Sequence, residues 1–435
     1  VYLADRRGTT APASASAAPG TRPGRRAAAV PGTVLALGAV SLITDVSSEM
    51  VSAVLPLYLL TGLGLSPLGF GVLDGLNNGV GALVRLAGGH LADRGRSGHK
   101  TVAAVGYGLS ALCKPLLLLA HTVPLIGAVI AVDRTGKGLR TAPRDAMISL
   151  ATEPEHRGRA FGVHRAMDTA GALLGPLVAF AVLRLAGGPL LADGGEQGGY
   201  DAVFAVSGCV AALGVLVLLL FVPGRPGKQA PSPAPASLRD AFALLRLPAL
   251  RRLTVCAVLL GLTTVSDSFL YLLLQRRLGL SAQWFPLLPL GTAAAFLLLA
   301  VPLGALADRI GRRRLFLAGH GLLLLAYGLL LGPVSGDAVA FCVLLLHGAF
   351  YASTDGVLAA AAADAVPQGQ RGAGLALVGT GQALARFACS LAFGAAWSAV
   401  GGTTALAWSA GALALCVAGA AFVLREPHDP SEVPS

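Results

Sequence analysis

Twelve apolar stretches of about 20 residues, set apart by prolines, glycines and clusters of charge, run through this chain and restrict it to one kind of fold. A helix of ~20 residues spans the ~30 Å of bilayer hydrocarbon, where a lipid-exposed backbone must satisfy its own polar groups. The spans fall near 33–60, 67–88, 101–121, 124–148, 160–183, 201–222, 252–275, 283–306, 313–333, 338–363, 373–397 and 403–424. With 54% hydrophobic and only 13% charged residues, the composition lies outside the soluble range and agrees with a polytopic membrane protein. The expected fold class is therefore all-α with twelve transmembrane helices.

A net charge of +11 could point to nucleic acid, but the cations are distributed by loop. Arg22, Arg25, Arg94, Arg96, Lys100, Arg157, Arg159, Arg225, Lys228, Arg309, Arg312 and Arg425 fall in alternate segments, while the other side keeps Arg184, Arg276 and Arg277. That asymmetry follows the positive-inside rule, so both termini are expected in the cytoplasm of a plasma (inner) membrane protein that binds no nucleic acid. Residues 1–31 and 425–435 read as cytoplasmic tails, the first without apolar periodicity. The Pro- and Arg-rich segment 223–251 reads as a cytoplasmic linker meeting anionic lipid, between six-helix units at 32–222 and 252–424. The six cysteines stand singly within apolar spans with no CxxC pair, so they read as small buried hydrophobes, and no metal or cofactor is expected.

Against this background the fourth span is anomalous. Between Val132 and Ile148 it carries Asp133, Arg134, Lys137, Arg140, Arg144 and Asp145, with Glu153 just beyond. A lone cation at membrane depth costs at least ~2.5–3.5 kcal/mol, so compensating groups are required. Asp133 and Lys137 stand i,i+4 and can neutralise each other, whereas Arg140 and Arg144 are both cationic and need anions from elsewhere. The first span offers Asp45 and Glu49, i,i+4 on one face, with Arg134 or Lys114 as expected structural partners. Two neighbouring carboxyls repel when both are ionised, so one is expected to bind a proton while the other stays paired. Asp168 and Asp267, in the fifth and seventh spans, are further candidates for proton or substrate binding, together with Arg134 and Lys137. His347, Tyr351, Asp355, Gln382 and Arg386 add polar groups to the tenth and eleventh spans.

The chain also repeats itself. Gly304-Ala305-Leu306-Ala307-Asp308-Arg309-Ile310-Gly311-Arg312-Arg313 echoes Gly89-His90-Leu91-Ala92-Asp93-Arg94-Gly95-Arg96, with Asp308 placed 215 positions after Asp93. A second echo, Pro154 to Gly158 against Pro367 to Gly372, has nearly the same offset. Two echoes at half the chain length indicate duplicated six-span halves of the same orientation, hence two pseudo-symmetric six-helix bundles.

On these residues the chain resembles a major facilitator superfamily transporter from Gly32 to Leu424. The superfamily's loop motif G-x-L-A-D-R-x-G-R-[RK] is matched in full at Gly304–Arg313 and one residue short at Gly89–Arg96. Arg134 to Ala142 resembles the fourth-span motif RxxQGxGAA, with Lys137 in place of Gln and Arg140 in place of Gly. Gly171, Gly175 and Pro176 resemble the fifth-span motif of antiporters, and in physical terms they permit close helix contact and a bend. The resemblance implies gating loops at Gly89, Asp93 and Arg94 and at Gly304, Asp308, Arg309, Gly311 and Arg312. The duplicated halves favour alternating access and the acidic spans favour proton coupling, so the expectation is secondary transport of a small solute, with export favoured and the chain acting as a monomer. An importer of a small anion is the alternative, because Lys114, Arg134, Lys137 and Arg140 load the first half with cations. A non-transporting receptor is a distant third. HExxH and GxSxG are absent from the sequence, and the residues around Gly136-Lys137-Gly138 do not complete a phosphate-binding GxxxxGK[ST], so neither an enzyme nor an ATP-driven pump is expected.

Overall fold

The computed structural model describes residues 30–92, 98–186, 195–224, 243–334, 336–367 and 370–424. The helices of the first half are α1 (Gly32–Leu57), α2 (Pro67–Ala92), α3 (His99–Leu116), α4 (Val123–Leu150), α5 (Arg157–Ala186) and α6 (Gly195–Phe221). Those of the second are α7 (Pro248–Thr263), α8 (Asp267–Leu278), α9 (Leu287–Ile310), α10 (Arg312–Leu331), α11 (Asp337–Asp364), α12 (Arg371–Val400) and α13 (Gly402–Val423). Because α7 and α8 are two pieces of one span, the described residues form twelve helical spans. No strand occurs among the described residues.

Helix pairing shows the duplication directly. In the first half α1 packs on α5 and α6, α2 on α4, α3 on α4 and α6, and α5 on α6. Six spans later α7 packs on α12 and α13, α9 on α11, α10 on α11 and α13, and α12 on α13. Each pair thus has its counterpart, and the fold is two pseudo-symmetric six-helix bundles. Ten of the spans are long and apolar enough to cross a membrane, counting α7 with α8. The two outside that set, α2 and α4, carry Asp74, Asn77, Asn78 and the charged run from Asp133 to Asp145. Large apolar side chains such as Leu298, Val301, Phe341, Leu415 and Phe422 point outward, as expected where the solvent is lipid.

The seventh span departs from the continuous helix expected over 252–275. It breaks at Thr264–Ser266, where Thr264 and Ser266 take up extended backbone. Freed polar groups are costly at membrane depth unless they find new partners. Here Val265 N–H donates to Tyr327 Oη at 2.9 Å and Cys389 Sγ donates to the Thr264 carbonyl at 3.2 Å. Cys389 therefore does more than fill space, and Cys209 and Cys342 are exposed rather than buried as expected.

The halves meet most closely along α2 and α12. A Cβ on Gly71 would stand 2.5 Å from the Ser390 carbonyl oxygen and 3.2 Å from Gly394 Cα, so only glycine allows this approach. Nearby, Leu68 N–H donates to Ser398 Oγ at 3.0 Å and the Phe70 and Phe269 rings meet edge to face at 4.8 Å. The α5–α9 contact adds Phe180 against Trp284 and Arg184 hydrogen-bonded to Gln283. These contacts involve the first turns of α2, the segment leading into α9, and the last turns of α5 and α12. They lie at one end of the molecule, the end that carries the α1–α2 loop.

Candidate functional site

The charged α4 is compensated from three neighbouring helices. Gly106 of α3 and Gly136 of α4 let the two backbones touch, since a Cβ on either would fall within 2.7 Å of the other's carbonyl oxygen. At that spacing Lys114 Nζ reaches Asp133 Oδ1 at 2.9 Å, and Ser110 donates to the same oxygen. Both members of the pair are buried, with side chains 4 and 10% exposed. The expected Asp133–Lys137 pair is thereby replaced by one between helices. Lys137 turns instead to Glu49 Oε1 at 3.9 Å, and Arg140 reaches Asp45 Oδ1 at 3.2 Å while lying over the Tyr107 ring. Arg144 is 3.0 Å from Asp145 and 3.8 Å from Asp168 of α5, and it donates to Ser41, whose Oγ is 3.1 Å from His164 Nε2. The partners expected for Asp45 and Glu49, Arg134 and Lys114, are thus corrected to Arg140 and Lys137. Arg134 Nε donates to Asn77 of α2 at 2.6 Å.

The second half builds a different station around Asp267, the first residue of α8. The break in the span places this carboxylate at a helix N-terminus, where the dipole favours negative charge. Tyr351 Oη donates to Asp267 Oδ1 at 2.6 Å, and His347 Nε2 lies 3.0 Å from the same oxygen. Arg386 of α12 sits over the Tyr351 ring at 5.7 Å. Across the halves, Ser390 donates to the buried Asp74 Oδ2 at 2.7 Å.

Two cavities lie between these stations. The larger, about 350 Å³, is lined by Glu49, Ser52 and Pro56 of α1, Pro176 of α5, and Asp267, Tyr271, Thr292, Phe296, Tyr351 and Asp355 of the second half. The smaller, about 130 Å³, is lined by Asp74, Asn77 and Asn78 of α2 with Ser266, Asp267, Tyr351 and Arg386. Of the sequence-derived candidates, Glu49 and Asp267 line the larger cavity, while Asp45, Lys137 and Asp168 belong to the α1–α4–α5 charge cluster. Asp74, Tyr351, Asp355 and Arg386 line the cavities without having been among the candidates. For α11 the signal was His347, Tyr351 and Asp355 at i, i+4 and i+8, a single polar face on an apolar helix.

Gly171 and Gly175 pack where expected: a Cβ would stand 2.4 Å from the Leu42 carbonyl oxygen and 2.6 Å from Glu49 Cβ, respectively. Pro176, the next residue, lines the larger cavity. At the complete loop motif, Gly304, Asp308 and Arg309 lie on α9, and Gly311 turns the chain into α10 with φ +94°, a conformation that favours glycine. Arg312 then bonds Asp364 and stands 3.8 Å from Asp308. In the other copy Gly89 belongs to α2, and Asp93 and Arg94 lie outside the described residues, as do 1–29, 225–242 and 425–435 of the tails and linker.

Twelve spans in two like-oriented halves, with a polar cavity lined by both, are the build of a membrane transporter. The Major Facilitator Superfamily model matches residues 37–297 and 287–435, and the chain belongs to that family. It is 28% identical over 377 residues to the uncharacterized MFS-type transporter MJ1317 of Methanocaldococcus jannaschii, covering 84% of this chain and 88% of that one. It is 35% identical over 154 residues to the uncharacterized protein Rv2265 of Mycobacterium tuberculosis, 35% of this chain and 37% of the other. Among solved structures, the nucleoside transporter NupG superposes with a TM-score of 0.75 at 14% identity, over 91% of this chain and 100% of NupG. A bacterial homolog of the human lysosomal transporter Spinster, inward-facing and occupied, gives 0.71 at 16% identity, over 90 and 96%. At these identities the structural likeness speaks for the fold.

Proposed function

We propose that this chain is a secondary active transporter that moves a small solute by alternating access and couples it to protons, in the direction of export. Glu49 carries the reading: the same carboxylate lines the cavity between the halves and faces Lys137 of the charge cluster. A proton on Glu49 weakens its attraction to Lys137, and an occupant of the cavity competes for the same oxygens, so solute and proton act on one group. Asp45, Asp168, Lys137 and Arg140 form the cluster that such a change would rearrange. The glycine-lined contact of α2 with α12 is the closure that must open for the cavity to reach the face bearing the α1–α2 loop. An anionic solute finds less support, because Lys114, Lys137 and Arg140 each face a carboxylate and Arg134 binds Asn77.

The test is transport by purified protein in proteoliposomes with a pH-sensitive dye inside, screened across drugs, sugars, organic acids, nucleosides and peptides. Solute-dependent proton movement is expected, and solute flux that ignores an imposed pH gradient would remove the coupling. The orientation proposed, with residues 20, 230 and 428 cytoplasmic in the plasma (inner) membrane, is tested by cysteine labelling in whole cells. Position 193 should label from outside, and labelling at 230 would reverse the topology.

A further inference from the structure

We propose that the larger cavity takes an organic cation, an amine or onium group carried on an apolar body. The assignment rests on the transport reading and narrows the substrate class at the same site.

Three carboxylate side chains line this cavity, Glu49, Asp267 and Asp355, and no lysine or arginine is among its lining residues. The cations nearby stand behind the wall: Lys137 is 3.9 Å from Glu49, and Arg386 lines the smaller cavity with its guanidinium over the Tyr351 ring, within electrostatic reach of Asp267 and Asp355. Asp267 takes its hydrogen bonds from Tyr351 and His347. An anion placed among these groups would meet like charge in a low-dielectric interior, whereas a cation relieves repulsion already present. Much of the rest of the wall is aromatic or apolar, with Tyr271, Phe285, Phe296 and Tyr351 beside prolines, and Ser52, Ser268 and Thr292 add hydroxyls. Aromatic faces attract cations and also bury a hydrocarbon body.

A second observation is independent of charge. Thr292 Oγ1 lines the same cavity and is buried, with the Tyr271 hydroxyl as its polar neighbour. A hydroxyl has two acceptor lone pairs, so a polar N–H or O–H of the occupant can still bond to it. The volume, about 350 Å³, is near the lower end for small-molecule sites and fits a compact organic ion. Because cation and proton would compete for Glu49, the two are expected to exchange in opposite directions, which is the arrangement for export.

The experiment uses the full chain, monodisperse in detergent micelles, with equilibrium binding of tetraphenylphosphonium and of tetraphenylborate, which share shape and differ in the sign of charge. Empty micelles correct for partitioning. Saturable phosphonium binding at least about tenfold tighter than borate is expected, a ratio that ~1.4 kcal/mol provides. Asp267→Asn and Asp355→Asn should each weaken it, Phe296→Ala should weaken it less, and Asp337→Asn, remote from the cavity, should leave it unchanged. If either carboxylate variant is not monodisperse, the wild-type preference for phosphonium over borate still decides the matter. Equal binding of the two ions, tighter borate, or no saturable phosphonium binding overturns the proposal, including when a nucleoside, peptide or organic anion is transported. Phosphonium binding without any counterflow in proteoliposomes would instead defeat the transport reading and leave the cation site standing.

Discussion

In the first half Asp133, Asp45 and Glu49 each face a cation brought by another helix, while in the second Asp267 is held by hydrogen bonds from Tyr351 and His347 at the start of a broken span, with Arg386 further off. The two arrangements solve the same problem, a carboxylate at membrane depth, with opposite consequences. Ion pairs between helices neutralise charge and lock α1, α3 and α4 together, and only Glu49, the longest of the three ion-pair distances, also reaches the cavity. Hydrogen bonds from a phenol and an imidazole orient Asp267 with Arg386 at longer range, and the carboxylate still lines both cavities, where an occupant can reach it. Charge in the first half is thus mainly spent on cohesion and coupling, and charge in the second on recognition.

The comparison breaks most visibly at Lys114–Asp133, which lies away from both cavities. Removing one member of a buried pair leaves the other uncompensated and costs about 3–5 kcal/mol. Lys114→Met should therefore abolish most folded protein, measured by fluorescence-detected size exclusion, and adding Asp133→Leu should restore much of it. A single variant that folds and transports normally would mean that the first-half pairs are not cohesive.

A smaller effect on folding is expected at the next pair, where the two carboxylates of α1 separate. Asp45 lies closer to its cation than Glu49 does, 3.2 against 3.9 Å, and its side chain is less exposed, 19 against 36%. Glu49→Gln should fold, retain counterflow and lose accumulation driven by a pH gradient. Asp45→Asn should lower the folded yield, with rescue by Arg140→Gln rather than by neutralising Arg134. If both single amides keep full proton-driven accumulation, coupling moves to Asp168 of the same cluster.

The closure between the halves is tested by size rather than by charge. Gly71→Leu adds atoms where even a Cβ would overlap the Ser390 carbonyl, so α2 and α12 must separate. In a chain lacking Cys209 and Cys342, cysteines placed at Leu68 and Ser398 should form a disulfide readily, and Gly71→Leu should suppress it. Undiminished cross-linking would show that the contact is not tight.

How far the sequence carried this site depends on the kind of residue. Apolar length and the repeated Leu-Ala-Asp-Arg were enough for twelve spans and two bundles, because hydrocarbon thickness and duplication both leave periodic marks. The need of α4 for anions, and Asp45 and Glu49 as donors of them, also followed from desolvation alone. The register did not: i,i+4 proximity favours Asp133–Lys137 on an isolated helix, and only the glycine contact of Gly106 with Gly136 brings Lys114 within reach instead. The break at Thr264–Ser266 was likewise hidden, since its sequence differs little from an apolar helix and its stability comes from Tyr327 and Cys389, distant in the chain. The contact of Asp74 with Ser390 was hidden too, because it exists only when the halves are assembled.

The smallest effect on folding is expected at Asp308, and there the comparison sharpens. Unlike the membrane-depth carboxylates, this one is 67% exposed at the end of α9, with its nearest cation, Arg312, at 3.8 Å and already bonded to Asp364. An exposed pair of that geometry contributes about 0–1 kcal/mol, so Asp308→Asn should fold and bind as the unaltered chain does. Transport need not follow stability. If Arg312 must leave Asp364 as the halves move, Asp308 is the acceptor one helical turn away that can receive it, and its loss would raise the barrier between states without changing either end. Asp308→Asn is therefore expected to reduce turnover strongly at unchanged melting temperature and unchanged solute affinity, read from initial rates and equilibrium binding on one preparation. Unchanged turnover would reduce Gly304, Asp308, Arg309, Gly311 and Arg312 to a topology signal and a tight turn, and the moving parts would then have to be sought in the α1–α4–α5 cluster alone.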